Sequence, residues 1–244
     1  MAETIDMMWI HYVPIVTTVL SVIFATIILR RYASRRSSLH LLWWGLGVAA
    51  FGLGTAIESS VTLLGNSVFQ TKAWYIAGAL FGGYPLAQGT VYLHLKKQTA
   101  DLLTKITLPI VILVSLLVVL SPVVTGVLHP FRPSGSVLGW VWIRWMTPFI
   151  NIYAVIFLVG GALLSGYRYA RQTGVGHGYR AIGNALIAIG GILPGIGGTM
   201  AKAGVVEGLY LGEFVGILFI WAGFSVVINA TSLATPVANV KTAA

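Results

Sequence analysis

Seven apolar stretches, each long enough to cross a bilayer as a helix, follow one another along the chain. They run approximately over 9–29, 41–64, 73–95, 106–128, 138–166, 181–201 and 206–230. A hydrocarbon core about 30 Å thick takes about 20 apolar residues of helix, and every stretch meets that length. No stretch alternates polar and apolar residues as a membrane barrel strand does. The predicted fold is therefore all-α: a single polytopic domain over 1–244 with seven transmembrane helices. The last break, 202–205, is so short that the sixth and seventh helices are expected to form a tight antiparallel hairpin.

Composition agrees with that reading and removes the soluble alternatives. Hydrophobic residues make up 57% of the chain and charged residues 9%, where a soluble domain carries about a quarter charged. So few charges cannot cover a water-facing surface, and a nucleic-acid partner is excluded with the soluble classes. The net charge of +9 comes from 15 Lys and Arg against 6 Asp and Glu. Arg30, Arg31, Arg35 and Arg36 follow the first span, and Lys96, Lys97 and Lys105 the third. Arg168, Arg171 and Arg180 follow the fifth, and Lys241 the seventh. Basic loops stay cytoplasmic, which predicts the N-terminus outside, the C-terminus inside, and contact with anionic inner-leaflet lipid. The acidic N-terminus precedes the first span and the arginines follow it, the reverse of a signal peptide, so that span is expected to be a retained helix.

An odd number of spans also fits a 3+1+3 arrangement, with halves 9–95 and 138–230 joined by 106–128. Gly52-Leu-Gly-Thr-Ala-Ile-Glu58 matches Gly195-Ile-Gly-Gly-Thr-Met-Ala-Lys202, and Lys72-Ala-Trp-Tyr75 matches Glu207-Gly-Leu-Tyr210. Such a repeat would set a site on its pseudo-axis. Gly204, Gly208, Gly212 and Gly216 recur every four residues, a small-residue stripe that lets another backbone approach, inside the bundle or between copies. Pro194 and Gly195 lie among further glycines in the sixth span, where a kink or unwound hinge is expected.

The ionisable residues within spans are the candidates for function, since intramembrane charge is costly and faces the bundle interior. Glu58, Arg144, Lys202 and Glu213 all fall near the outer face, from the rise of ~1.5 Å per residue. Trp74, Tyr75, Trp145 and Tyr210 share that depth. These eight residues are predicted either to line an outward-facing polar and aromatic ligand pocket or to form a structural ion-pair network, with Glu58–Arg144 as its leading pair.

Several chemistries lack their residues. There is no cysteine, which removes disulfides, thiolate metal sites and thiol nucleophiles. The last span has no Lys for a retinal Schiff base. The five histidines are scattered without metal-ligand spacing, and no nucleophilic triad assembles at one depth. No metal, no cofactor and no enzymatic activity is expected.

The segments His40-Leu-Leu-Trp43-Trp44-Gly, Ala56-Ile-Glu58, Lys72-Ala-Trp74-Tyr75-Ile-Ala-Gly78 and Gly183-Asn184-Ala-Leu resemble uncharacterised bacterial seven-span membrane proteins. More distantly, they are similar to the seven-span sensor region that precedes some bacterial histidine kinases. The resemblance implies a sensor or accessory role in the bacterial inner (plasma) membrane. No kinase or other output domain follows the seventh span, so signalling is expected to need a partner membrane protein. The sequence reading is a non-enzymatic binder of a small or amphiphilic ligand, lipid included. The alternatives are a small-solute or ion transporter and a purely structural subunit.

Overall fold

The structure, a computed structural model, describes residues 9–233. Lys241 lies outside them. Among the described residues the regular elements are helices, with two isolated β-bridges in one connection. We number the helices α1 (Trp9–Ser34), α2 (Leu39–Leu64), α3 (Val68–Trp74, Tyr75–Leu80 and Tyr84–His94 in succession), α4 (Lys97–Leu120), α5 (Ile143–Ala170), α6 (His177–Lys202) and α7 (Val206–Leu233). All except α3 are long and apolar enough to cross a membrane. The chain is a multi-pass membrane protein.

Consecutive helices are antiparallel, so the connections alternate between two ends. Those at 35–38, 95–96 and 171–176 share what we call the basic end. Those at 65–67, 121–142 and 203–205 share the far end. Neighbour contacts run α1–α2–α3–α5–α6–α7 and return to α1, a closed ring of six helices. Helix α4 stands outside it, against α3 and α5.

Two ring helices are irregular. In α3, the N–H of Phe81 reaches back to Ile76 at 3.0 Å, a π-helical turn, before the chain passes Gly82 and Gly83 into Pro85. Proline brings no N–H and crowds the turn before it. A Cβ on Gly82 would stand 2.4 Å from the carbonyl oxygen of Gly78, so the turn needs glycine there. Helix α5 widens into a π-turn at Val155–Val159. The two irregular stretches face each other: a Cβ on Gly83 would lie 2.9 Å from that of Ala154. Irregular backbone at membrane depth survives where protein rather than lipid surrounds it.

No unwound stretch interrupts α6 at Pro194 and Gly195, where the helix is continuous. The carbonyl that Pro194 leaves without an N–H belongs to Gly190. It faces the Cα of Gly216, where an added Cβ would stand 2.9 Å away, a placement suited to a weak Cα–H···O contact. The α6–α7 hairpin packs along its whole length on such contacts. On α6, glycines 183, 190 and 197 recur every seven residues. A Cβ on Gly183 would meet the Gly223 oxygen at 2.8 Å, one on Gly190 the Gly216 oxygen at 2.6 Å, and one on Gly197 the Gly208 oxygen at 2.6 Å. Gly208, Gly212 and Gly216 all face α6. Gly204 ends the stripe in the connecting turn, at φ +96°.

Helix α4 begins and ends before the apolar run that marks it in sequence. Its first turns carry Lys97 and Asp101, paired at 2.6 Å. It stops at Leu120 because Pro122 disfavours helix at the residue before it. Lys72 Nζ donates to the carbonyls of Val119 and Ser121 at 2.8 and 2.7 Å, a cation at the negative end of a helix.

Replacing Gly216 or Gly190 by Ala is expected to cost about 1–3 kcal/mol through overpacking against backbone. Gly195→Ala, where nothing lies within 4 Å, is expected to be neutral or slightly stabilising. Unfolding titrations of the three variants in detergent check this; equal stability at all three positions would contradict the seam.

Candidate functional site

The ring surrounds a lumen, and its two halves are built from different chemistry. In the far half, Glu58 of α2 is buried, with 1% of its surface exposed. The indole N–H of Trp74, on α3, donates to Glu58 Oε1 at 2.7 Å. The Glu58 carboxyl also lies in close contact with that of Glu213, which reaches in from α7. Tyr210 stands one turn before Glu213, 1% exposed, with an OH that has no hydrogen-bond partner. Its ring meets the His11 imidazole edge to face at 5.7 Å.

A second charged group covers this cluster. Glu207 Oε1 lies 3.4 Å from a guanidinium nitrogen of Arg132 and 3.8 Å from His11 Nε2. Arg132 belongs to the 121–142 connection, which Asn66 ties down: its amide donates to the carbonyls of His129 and Arg132 at 2.9 and 3.2 Å. Burial, and then the positive charge of Arg132, hold the imidazole of His129 below its ordinary pKa.

Of the eight predicted residues, the structure gathers Glu58, Glu213, Trp74 and Tyr210. Tyr75 packs beside Trp74 and shares a 2.6 Å hydrogen bond with Thr147 instead of joining the carboxyls. Arg144, at the start of α5, lies near Tyr75, and the ion pairs among the described residues do not include Glu58–Arg144. Depth alone could not show that α2 and α5 are not neighbours in the ring. Lys202 is exposed at the end of α6, and Trp145 is 71% exposed on the outer surface of α5.

The other half of the lumen is open. A cavity of about 530 Å³ lies inside the ring, reaches the basic end, and is lined by all six ring helices but not by α4. Its mouth carries Arg31, Arg35, His40, His94 and Arg168. Each lining helix then turns apolar with depth, through Phe24, Trp44, Leu86, Leu158 and Phe224. No Asp or Glu lines it. Volumes of roughly 300–1,000 Å³ with apolar walls and a few placed polar groups are those of ligand pockets.

Hydrogen bonds hold the mouth in shape. His94 Nδ1 lies 3.2 Å from the carbonyl of Thr90, and its Nε2 lies 2.6 Å from Ser165 Oγ. A carbonyl only accepts, so Nδ1 carries a proton, and in the neutral ring Ser165 donates to Nε2. Trp44 Nε1 donates to Thr90 Oγ1 at 3.3 Å, and the Trp44 and Phe224 rings meet edge to face deeper in.

The sequence reading took Arg31, Arg35 and Arg168 as markers of orientation only. The available signal was local: His40 and Trp44, Thr90 and His94, and Ser165 and Arg168 each stand three or four residues apart at basic helix ends, hence on one face. Compared with known protein families, with curated proteins and with solved structures, the chain matches none.

Trp74→Phe removes a donor from a buried carboxyl and is expected to cost about 1–3 kcal/mol. Glu58→Gln and Arg144→Met, made singly and together, are expected to be additive within about 0.5 kcal/mol, as for residues without shared contacts. A larger coupling in the double-mutant cycle would restore their pairing.

Proposed function

We propose that this protein is a non-enzymatic membrane binding protein. Its ligand is an amphiphilic anion, an acyl or prenyl chain with a carboxylate or phosphate head, held in the central cavity. The observation that carries this reading is the gradient along the lumen: guanidinium and imidazole groups at the mouth, aromatic and aliphatic walls at depth, and no acidic side chain. Arg forks suit carboxylate and phosphate oxygens. The apolar depth rewards a hydrocarbon chain at about 0.8 kcal/mol per buried CH₂. Sequence reasoning put the ligand at the Glu58 level; the void lies at the opposite end.

By the positive-inside rule the basic end is cytoplasmic, which puts the N-terminus outside; the bacterial inner membrane is what the resemblance implies. The cavity then fills from the cytoplasm or the inner leaflet. The ring also accommodates the 3+1+3 reading, since α1–α3 and α5–α7 each pack in sequence order while α4 stands aside. A sensor or accessory subunit would pass the cavity's occupancy to a partner membrane protein. A second reading, a carrier in its inward-open state, is favoured by one observation: the same lumen is open at one end and occupied at the other by the Glu58–Glu213 contact.

Titrating the full-length protein in nanodiscs with a long-chain fatty acid, monitored by tryptophan fluorescence, tests the binding. Saturable quenching is expected, with none for an alkylammonium of equal length. Arg35→Glu with Arg168→Glu is expected to weaken binding about tenfold or more, and Ala162→Phe to block the cavity. Equal binding of anion and cation would overturn the reading. Ligand flux across liposomes separates carrier from receptor.

The absence of cysteine allows orientation to be read directly. Cysteine introduced at Ser37 is expected to react only with reagent on the cytoplasmic side, and at Gly126 only from outside. The reverse pattern would invert the topology.

A further inference from the structure

Two carboxyl groups meet across the lumen, and the surroundings do not supply the charge to hold both ionised. His11, from α1, and Arg132, from the 121–142 connection, face the cluster, but Glu207 of α7 engages both. His129 sits beyond Arg132 in the same connection. From α3, Trp74 donates to Glu58, and Lys72 spends its ammonium on the end of α4. Arg144 of α5 stands by Tyr75, and Lys202 of α6 is exposed. Two ionised carboxylates offer acceptors only, so a contact between them becomes a hydrogen bond when one carries a proton. Beside them, Tyr210 OH, Glu58 Oε2 and Glu213 Oε2 are buried atoms without a hydrogen-bond partner. Such orphans in a native structure call for an unseen occupant or a chemical role.

We propose that Glu58, Glu213 and Tyr210 form a proton-binding site in the far half of the lumen, with one exchangeable proton held between the two carboxyls. The bound proton joins α2 to α7 across the ring. When it leaves to the aqueous phase, two carboxylates remain, the Tyr210 hydroxyl donates to one of them, and their repulsion loosens the far end. This site is independent of what the cavity at the basic end binds.

Infrared spectroscopy of the full-length protein in nanodiscs reads such a proton directly. The wild type is expected to show the C=O stretch of a buried carboxylic acid, shifted in D₂O and lost reversibly as pH rises. Glu58→Gln and Glu213→Gln are each expected to lack it, because a glutamine amide can donate to the remaining carboxylate. Over the same titration the melting temperature of the wild type falls as pH rises, while that of Glu213→Gln stays level. Tyr210→Phe, which keeps both carboxyls, retains the band and moves its loss to higher pH.

Absence of the band from folded wild type, or its survival in both glutamine variants, would overturn the site. Sodium removing the band at constant pH would replace the proton by a metal cation and overturn the assignment. A Tyr210→Phe titration identical to wild type would remove Tyr210 from it.

Discussion

Six helices packed side by side in a ring leave a hole. With neighbouring axes about 8–10 Å apart, the axes lie on a circle of about that radius, and a space roughly one helix wide remains at the centre. Lipid cannot reach it, and an empty void forfeits the dispersion contacts of the atoms around it. Something must occupy the space. The one helix left over, α4, lies outside the ring. The far half is filled by Glu58, Glu213, Trp74 and Tyr210, and the other half is the cavity.

The ring closes because some of its joints are much tighter than others. Between α6 and α7 the glycine seam brings backbone onto backbone, with Val227, Ile220, Ile187 and Met200 packed against its glycines. Other large residues of α7 point into the lumen: Phe224 toward the cavity, Tyr210 and Glu213 toward the far half. Between α2 and α3, Gly54 meets the backbone of Gly78 in the same way, with an added Cβ standing 3.2 Å from the Gly78 Cα. The irregular turns of α3 and α5 sit where those helices face each other, at the inner end of the cavity wall, where Leu158 belongs to the α5 turn itself. There backbone donors and acceptors leave the regular ladder at membrane depth, on faces that the two helices turn toward each other.

How much of this was legible in the sequence depends on the range of the interaction. The six apolar helices and the short α6–α7 connection follow from hydropathy and chain length, which are local. The stripe Gly208, Gly212 and Gly216 showed that a backbone approaches α7, but its partner glycines at 183, 190 and 197 stand seven apart and read as unremarkable membrane glycines. Pro194 drew attention to α6, yet Gly190 and Gly216 absorb its effect, while the Gly82-Gly83 pair ahead of Pro85 in α3 breaks that helix. Depth counting put Glu58, Glu213, Trp74 and Tyr210 at one level, but it put Arg144 and Trp145 there too. Depth is one coordinate; the angle around the ring is the other, and it depends on which helices are neighbours.

The two halves of the lumen differ in kind, and that bears on what the buried acids are for. Buried ionic groups are weak devices for stability: well-packed apolar residues of similar volume usually serve as well or better. Were the far half only a plug, an amide opposite Glu58 would make the same hydrogen bond with no proton to lose. Two carboxyls do something an amide cannot, since their contact depends on proton activity. At the basic end the logic runs the other way. Arg31, Arg35 and Arg168 stand at the mouth, and a guanidinium fork suits carboxylate or phosphate oxygens. On the two proposals, one lumen joins an anion-binding mouth at one end to a proton-dependent contact at the other, with the apolar residues Phe24, Val48 and Ile217 packed in the same core.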